Sequence, residues 1–222
     1  MIASRLAQPR ILLAAFLAAG ACAALPPSVA HARKYPEPSI YPIAWQLDFK
    51  HSIPKRIVVD VPGQKTPTAY WYVTYTVTNN SKAEQDFLPD FQMVTQDGKI
   101  HPADKGIPLP VFDAIRKREA NDLLLSAARI AGPLHQGEDQ AKDGVAIWEE
   151  PLARMGDFTI YVGGLSGEYT RVKDTDGKTL NDADGKPVLL RKTLELNYVI
   201  WGDEIKPGLD EVHDKPERWV MR

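Results

Sequence analysis

Alternation of apolar and polar positions is strongest from Ala69 to Asn80, AYWYVTYTVTNN. Ala69, Trp71, Val73, Tyr75 and Val77 share one face of an extended chain, and Tyr70, Tyr72, Thr74, Thr76 and Thr78 share the other, because successive side chains of a strand point to opposite sides. Nearly all are β-branched or aromatic, the types that suit a pleated, half-buried surface. The pattern predicts a central strand with an apolar face turned inward and a hydroxyl-rich face half exposed. The turn formers Asn79-Asn80-Ser81-Lys82 stop it.

The same period of two recurs along the chain. Ile43 to His51 sets Ile43, Trp45, Leu47 and Phe49 against Ala44, Gln46, Asp48 and Lys50. Arg56 to Val61 places Ile57, Val59 and Val61 on one face and is expected to pair antiparallel with Ala69–Thr78. Phe91, Met93 and Thr95 lead into Asp97-Gly98, a strong hairpin signal, and Lys99-Ile100-His101 returns. Gly144 to Glu149, Asp157 to Val162 and Val188 to Trp201 complete the strands, the last with Leu190, Leu194, Leu196, Tyr198 and Ile200 in register. One helix is predicted, Val111 to Ala120. Its inner face is Val111, Phe112, Ile115 and Glu119, and Asp113, Arg116, Lys117 and Arg118 are left to solvent. So short a helix needs tertiary packing to hold it. Leu123 to Ile130 fits helix or strand and is read as a strand ended by Gly132-Pro133. Eight or nine strands with frequent turns make a mainly β chain, an antiparallel β-sandwich with one short inserted helix. A single domain is expected over 43–222, with the insertion at about 102–122 and an extended leader over 33–42. No internal repeat is read.

The N-terminus changes the picture. Arg5 and Arg10 precede an apolar run from Ile11 to Leu25, then Pro26-Pro27 and Ala30-His31-Ala32. A positive start, an apolar middle and a small-x-small site describe a secretory signal peptide. The apolar run falls short of the roughly 20 residues that a spanning helix needs. Cleavage is expected after Ala32, recognised through Ala30 and Ala32, so a periplasmic or secreted protein follows and the membrane is met only through the signal. The one cysteine, Cys22, lies inside that signal, and lipid anchoring there is the alternative. Without it the mature chain has no disulfide, thiolate nucleophile or cysteine metal site. Loss of Arg5 and Arg10 takes the net charge from −2 to −4, which gives no electrostatic reason to bind nucleic acid.

The motifs that carry chemistry elsewhere are incomplete here. Gly164-Leu165-Ser166-Gly167-Glu168 misses the final glycine of a nucleophile elbow, and no helix opening follows it. Asp174, Asp176, Asp182 and Asp184 do not meet EF-hand spacing, so turn aspartates are the default and a weak calcium site is the alternative. His51, His101, His135 and His213 share no metal-ligand spacing. Glu149 and Glu150 are adjacent on a strand and point to opposite faces. No catalytic, metal or cofactor residue is assigned, and no cofactor is implied. Tyr70 and Tyr72 are the one candidate interaction surface: two large rings on an outward row need a cover. Either the chain supplies it, from Val111–Ala120 or Trp219-Val220-Met221, or the rings meet a partner.

Val73, Tyr75, Thr76, Val77 and Asn79 form a V-x-Y-T-V-x-N segment, followed by Phe91–Met93 and Asp97-Gly98, and later by Gly137-Glu138 and Gly144–Trp148. In this order they resemble the bacterial extracytoplasmic immunoglobulin-like domains of the telokin-like kind. The resemblance spans roughly Ala69 to Val162, and Pro102 to Asp122 has no counterpart in the small versions. It implies an immunoglobulin-like sandwich used for binding or assembly, with no catalytic residues to carry over. Two functions follow. The first is a non-enzymatic exported module with a protein partner in the cell envelope. The second is a hydrolase with a dispersed Asp/Glu/His site.

Overall fold

The central strand is long because it has partners along both edges. In the computed structural model, which describes residues 35–152, 155–201 and 211–222, the chain begins with β1 (Asp48–His51), β2 (Lys55–Val59) and β3 (Thr68–Thr78). β2 pairs antiparallel with the first half of β3, Lys55 opposite Tyr72 and Val59 opposite Thr68. β1 takes the second half, Asp48 opposite Thr78 and His51 opposite Tyr75. The turn between them is stitched at Thr74, whose carbonyl accepts the Ser52 N–H at 2.8 Å while its own N–H donates to Ser52 Oγ at 3.1 Å.

After β4 (Gln85–Phe87), β5 (Asp90–Thr95) and β6 (Ile100–Pro102) come helix α1 (Leu109–Glu119) and a second, one-turn helix α2 (Ala127–Ile130). β7 (Gly132–Leu134) pairs with β4, and β8 (Lys142–Glu149) lies along the other edge of β3 from Tyr70 to Val77. β9 (Phe158–Gly163), β10 (Tyr169–Arg171), β11 (Leu189–Ile200), β12 (Val212–Asp214) and β13 (Arg218–Met221) complete the described strands. The second sheet is built on β11, in the order β10-β11-β9-β5-β6, with β12 and β13 also paired to β11.

The chain is therefore mainly β with antiparallel sheets, as its alternation predicts, and residues 36–222 form one compact unit. The inward rows meet in one core: Trp71, Val73, Tyr75 and Val77 from β3, Phe91 and Met93 from β5, Ile160 and Val162 from β9, Leu194, Leu196 and Tyr198 from β11. Ring pairs tie the sheets together, Tyr75 on Phe91 at 4.8 Å and Trp71 on Phe158 at 5.8 Å between centroids.

Four expectations are corrected. The outward row of β3 is not half exposed: Tyr70 and Tyr72 are buried, and only the threonines are partly open. A second core of Val59, Val61, Val111, Phe112, Ile115, Leu124, Val145 and Ile147 surrounds the two rings. The predicted helix supplies this cover, with Val111, Phe112 and Ile115 inward as expected, while the tail Trp219-Val220-Met221 pairs with β11 instead. Residues 123–130 hold the helix α2 and no strand, so there are two helices where one was expected; a single bridge from Leu125 to Gly144 is their only sheet-like contact. Finally, an internal repeat exists. Val172, Leu180 and Val188 recur every eighth residue around two D-x-D-G-K turns. Leu180 N–H donates to Val172 O, Val188 N–H to Leu180 O and Val172 N–H to Val188 O, closing a ring of hydrogen bonds of 2.8–3.0 Å. Two copies of eight residues are too short to stand out from ordinary turn composition.

The segment between β6 and β8 also protects an edge. Asp104 N–H donates to Ile147 O at 2.7 Å and its carboxylate accepts the Ile147 N–H at 3.2 Å; Leu125 makes two further bonds to β8. An open row of backbone groups there would invite pairing with another chain.

Candidate functional site

The outer face of the second sheet carries polar side chains, but it is not flat. On β9 the inward row is Phe158, Ile160 and Val162, so Thr159, Tyr161 and Gly163 point out. Pairing then fixes two rows across the sheet. Gln92, Tyr161, Glu195 and Arg218 lie in one, and Asp90, Gly163, Thr193 and Val220 in the next. Because Gly163 has no side chain, the second row dips. The result is a cleft of about 520 Å³, within the range of ligand sites. Asp86, Leu88 and Asp90 wall it on the β5 side, Arg191 and Arg222 on the β11 and β13 side, and Trp45 with Ser166 and Gly167 at its end.

Its charges are held in distinct ways. The Arg222 guanidinium lies over the Tyr161 ring, 3.9 Å from the centroid. Stacking fixes its plane without neutralising its charge. Its backbone exchanges two hydrogen bonds with Arg191, of 2.7 and 2.9 Å, so the two arginines are neighbours across the strands. Glu195, by contrast, is spoken for. Burial raises its pKa, but Arg218 Nε at 2.8 Å and Asn197 outweigh that and hold it below the usual range.

The wall at Ser166 is a latch for the incoming chain. Ser166 Oγ donates to Trp45 O and accepts the Glu168 N–H, both at 3.1 Å. Gly167 must be glycine, since a Cβ there would lie 2.5 Å from Trp45 Nε1. Glu168 is buried against Lys192, 3.2 Å away, and accepts the Ser39 N–H at 2.6 Å. Burial pushes its pKa up, yet Ser39 and Lys192 prevail and keep it low. The near-elbow is thus a docking turn: its serine bonds to main-chain groups, and among the described residues no histidine is one of its hydrogen-bond partners.

The residues singled out in the sequence fall elsewhere. Tyr70 and Tyr72 form no open surface; Tyr72 Oη donates to Glu119 Oε1 at 2.6 Å, and the buried Tyr70 hydroxyl, beside Gln64, makes no well-formed hydrogen bond among the described residues. Asp174 and Asp182 each accept two backbone N–H groups of their own turns, at 2.8–3.0 Å, and among the described residues no group of three or more His, Cys, Asp or Glu could hold a metal ion. Glu150 is bound by Arg56 at 2.6 and 2.9 Å and by Trp71 Nε1 at 3.0 Å. Ala30, Ala32 and Cys22 lie outside the described residues, and no described helix is long and apolar enough to cross a membrane.

Two groups were not legible beforehand. His51 sits beside a second cleft of about 430 Å³, with Nδ1 3.4 Å from Tyr198 Oη and Nε2 3.5 Å from Glu217 Oε2. Asp104, in a left-handed conformation at φ 60°, has a pKa pushed up to about 7 by burial, which the Ile147 N–H only partly offsets. For the larger cleft a signal did exist: the pair Gly163-Gly164 ending an otherwise β-branched strand, with Tyr161 outward just before it. Gly164 takes φ 82° where a Cβ would strike the Leu88 carbonyl oxygen. No protein-family model, curated protein or solved structure matches this chain.

Proposed function

We propose that this chain is an exported, non-enzymatic recognition module with an immunoglobulin-like sandwich fold, acting in the periplasm or outside the cell. It binds a protein partner in the cell envelope, needs no cofactor or nucleic acid, and meets the membrane only through its signal peptide. The observation that carries this reading is the cleft over Gly163. It is concave, sits on paired strands, and carries aromatic and arginine side chains, the types enriched where proteins meet ligands. A site built on strands is held more tightly than one on loops, which suits recognition. The two-sheet core and antiparallel pairing support the sandwich, and Arg5, Arg10, the apolar run and Ala30–Ala32 support export.

Photo-crosslinking in intact cells tests it. A photoreactive residue at Leu88, on the cleft rim, should give a discrete adduct, and one at Ile53 should give none. Cells in which neither position, or both equally, gives that adduct would overturn the assignment. A second reading, a hydrolase, draws on His51 between Tyr198 and Glu217. It requires that His51→Ala abolish a hydrolytic activity that Leu88→Ala leaves intact.

A further inference from the structure

We infer that the cleft over Gly163 takes a short peptide through both of its charged ends, the carboxylate on the arginine side and the ammonium on the aspartate side. This rests on the reading of that cleft as a recognition site and adds a small free ligand beside the protein partner. The topology separates the charges. In the order β11-β9-β5, Arg191 projects from one outer strand of the three and Asp90 from the other, with Gly163 of β9 between them. Arg222 joins Arg191 through the backbone bonds of β13 to β11, and Asp86 joins Asp90 along the opposite wall.

Among the described residues Arg191, Arg222, Asp86 and Asp90 make no ion pair; Asp90 accepts only the neutral Gln92 amide, at 3.0 and 3.2 Å. Yet they stay apart: opposite charges that could reach one another would pair, and here a strand position without a side chain, Gly163, keeps a gap between them. A ligand carrying one charge alone would satisfy one wall and leave the other facing it unpaired. A ligand carrying both satisfies both.

The spacing sets its length. Two strand separations are about 10 Å, and Arg191 stands two residues along β11 from the row of Asp90 and Gly163, so the gap is about 12 Å; an extended chain advances about 3.3 Å per residue, and three to four residues span it. The arginine fork matches a carboxylate. Trp45 and Leu88 at the rim offer apolar contact to whatever side chains the peptide bears.

The probe is tri-alanine with both ends free, compared with its N-acetyl, C-amide and doubly blocked forms, titrated against the full chain by NMR. Free tri-alanine should shift the Tyr161, Gly163 and Trp45 resonances, and blocking either end should weaken binding at least tenfold. Asp90→Asn should weaken the free peptide about tenfold and leave the N-acetyl form unchanged; Arg191→Gln should do the same with the C-amide form. Arg191, Asp86 and Asp90 are exposed and Arg222 is half-buried, so Asp86→Asn provides a second variant on the acidic wall and Arg222→Gln one on the basic wall should one fold poorly. N-acetyl peptide binding as well as the free form would reduce the site to a carboxylate pocket and overturn the inference. Absence of any shift at the cleft, with the Leu88 crosslink retained, would sink the peptide and spare the recognition module; loss of both would remove the two together.

Discussion

The two sheets differ most on their outer faces. On the first, the outward row of β3 carries Tyr70 and Tyr72, and the chain seals them under α1 in a second apolar core. On the second, the outward row of β9 carries Tyr161 and Gly163, and the chain leaves a charged cleft. Both rows begin from the same alternation of a β-strand with an aromatic on the polar side. What separates them is the insertion between β6 and β8. It brings four large apolar side chains to the first face, whereas the second face receives arginines from β11 and β13. An aromatic that is covered by its own chain serves stability, and one that only supports an arginine beside an open cleft leaves that cleft charged.

The sharpest way to break this comparison is to strip the rings. Tyr70→Ser with Tyr72→Ser should cost about 3–6 kcal/mol, at roughly 1.5–3 per buried ring, read as a lower urea midpoint. A loss under 1 kcal/mol would mean that α1 does not seal the face. Conservative changes separate the two hydroxyls. Tyr72→Phe removes the bond to Glu119, itself bound by Lys55 at 2.7 Å, and should cost about 1.5 kcal/mol. Tyr70→Phe removes a buried hydroxyl with no well-formed hydrogen bond and should be neutral or slightly stabilising.

The seam of the insertion should titrate. Asp104 has a folded-state pKa raised to about 7, so the fold favours its protonated form. Between about pH 4 and pH 7 the native state binds more protons than the unfolded one, and stability falls as pH rises. Asp104→Asn, which tolerates the left-handed backbone, should flatten that slope by about 1–2 kcal/mol, discounted for a partly exposed group. Glu119 behaves oppositely. Burial would raise its pKa, but Lys55 and Tyr72 lower it overall, so its contribution is present at neutral pH and lost as acid protonates it. Chemical denaturation from pH 3 to pH 8 of wild type, Asp104→Asn and Glu119→Gln resolves the two slopes; slopes identical in all three would show that neither group couples to folding.

Among ring removals, the smallest effect belongs to the open face. Tyr161→Ser loses the stack under Arg222 and should cost about 1 kcal/mol or less by urea midpoint. A loss as large as that of the β3 double change would make the second face another covered core.

Much of the fold was legible. Strands β2, β3, β5, β9 and β11 follow their alternation, β8 appears where a short apolar strand was read, Asp97-Gly98 turns β5 into β6, and Val111, Phe112 and Ile115 are the buried face of α1. Local chemistry decides these features, because a period of two or 3.6 and a left-handed glycine are properties of neighbouring residues. Ala127–Ile130 could not be assigned that way: four residues of mixed propensity take whichever form their packing on β8 allows. The cleft was less legible still. Gly163-Gly164 marked a break in a strand, but Asp86, Asp90, Arg191 and Arg222 are dispersed over 137 positions and converge only when β5, β9, β11 and β13 align. The sequence by itself determined which faces of the strands were apolar and where the chain turned. Tertiary structure alone decided which outer face would be covered, because the cover for β3 and the arginines for β9 come from segments distant along the chain, and only folding sets what lies over a face.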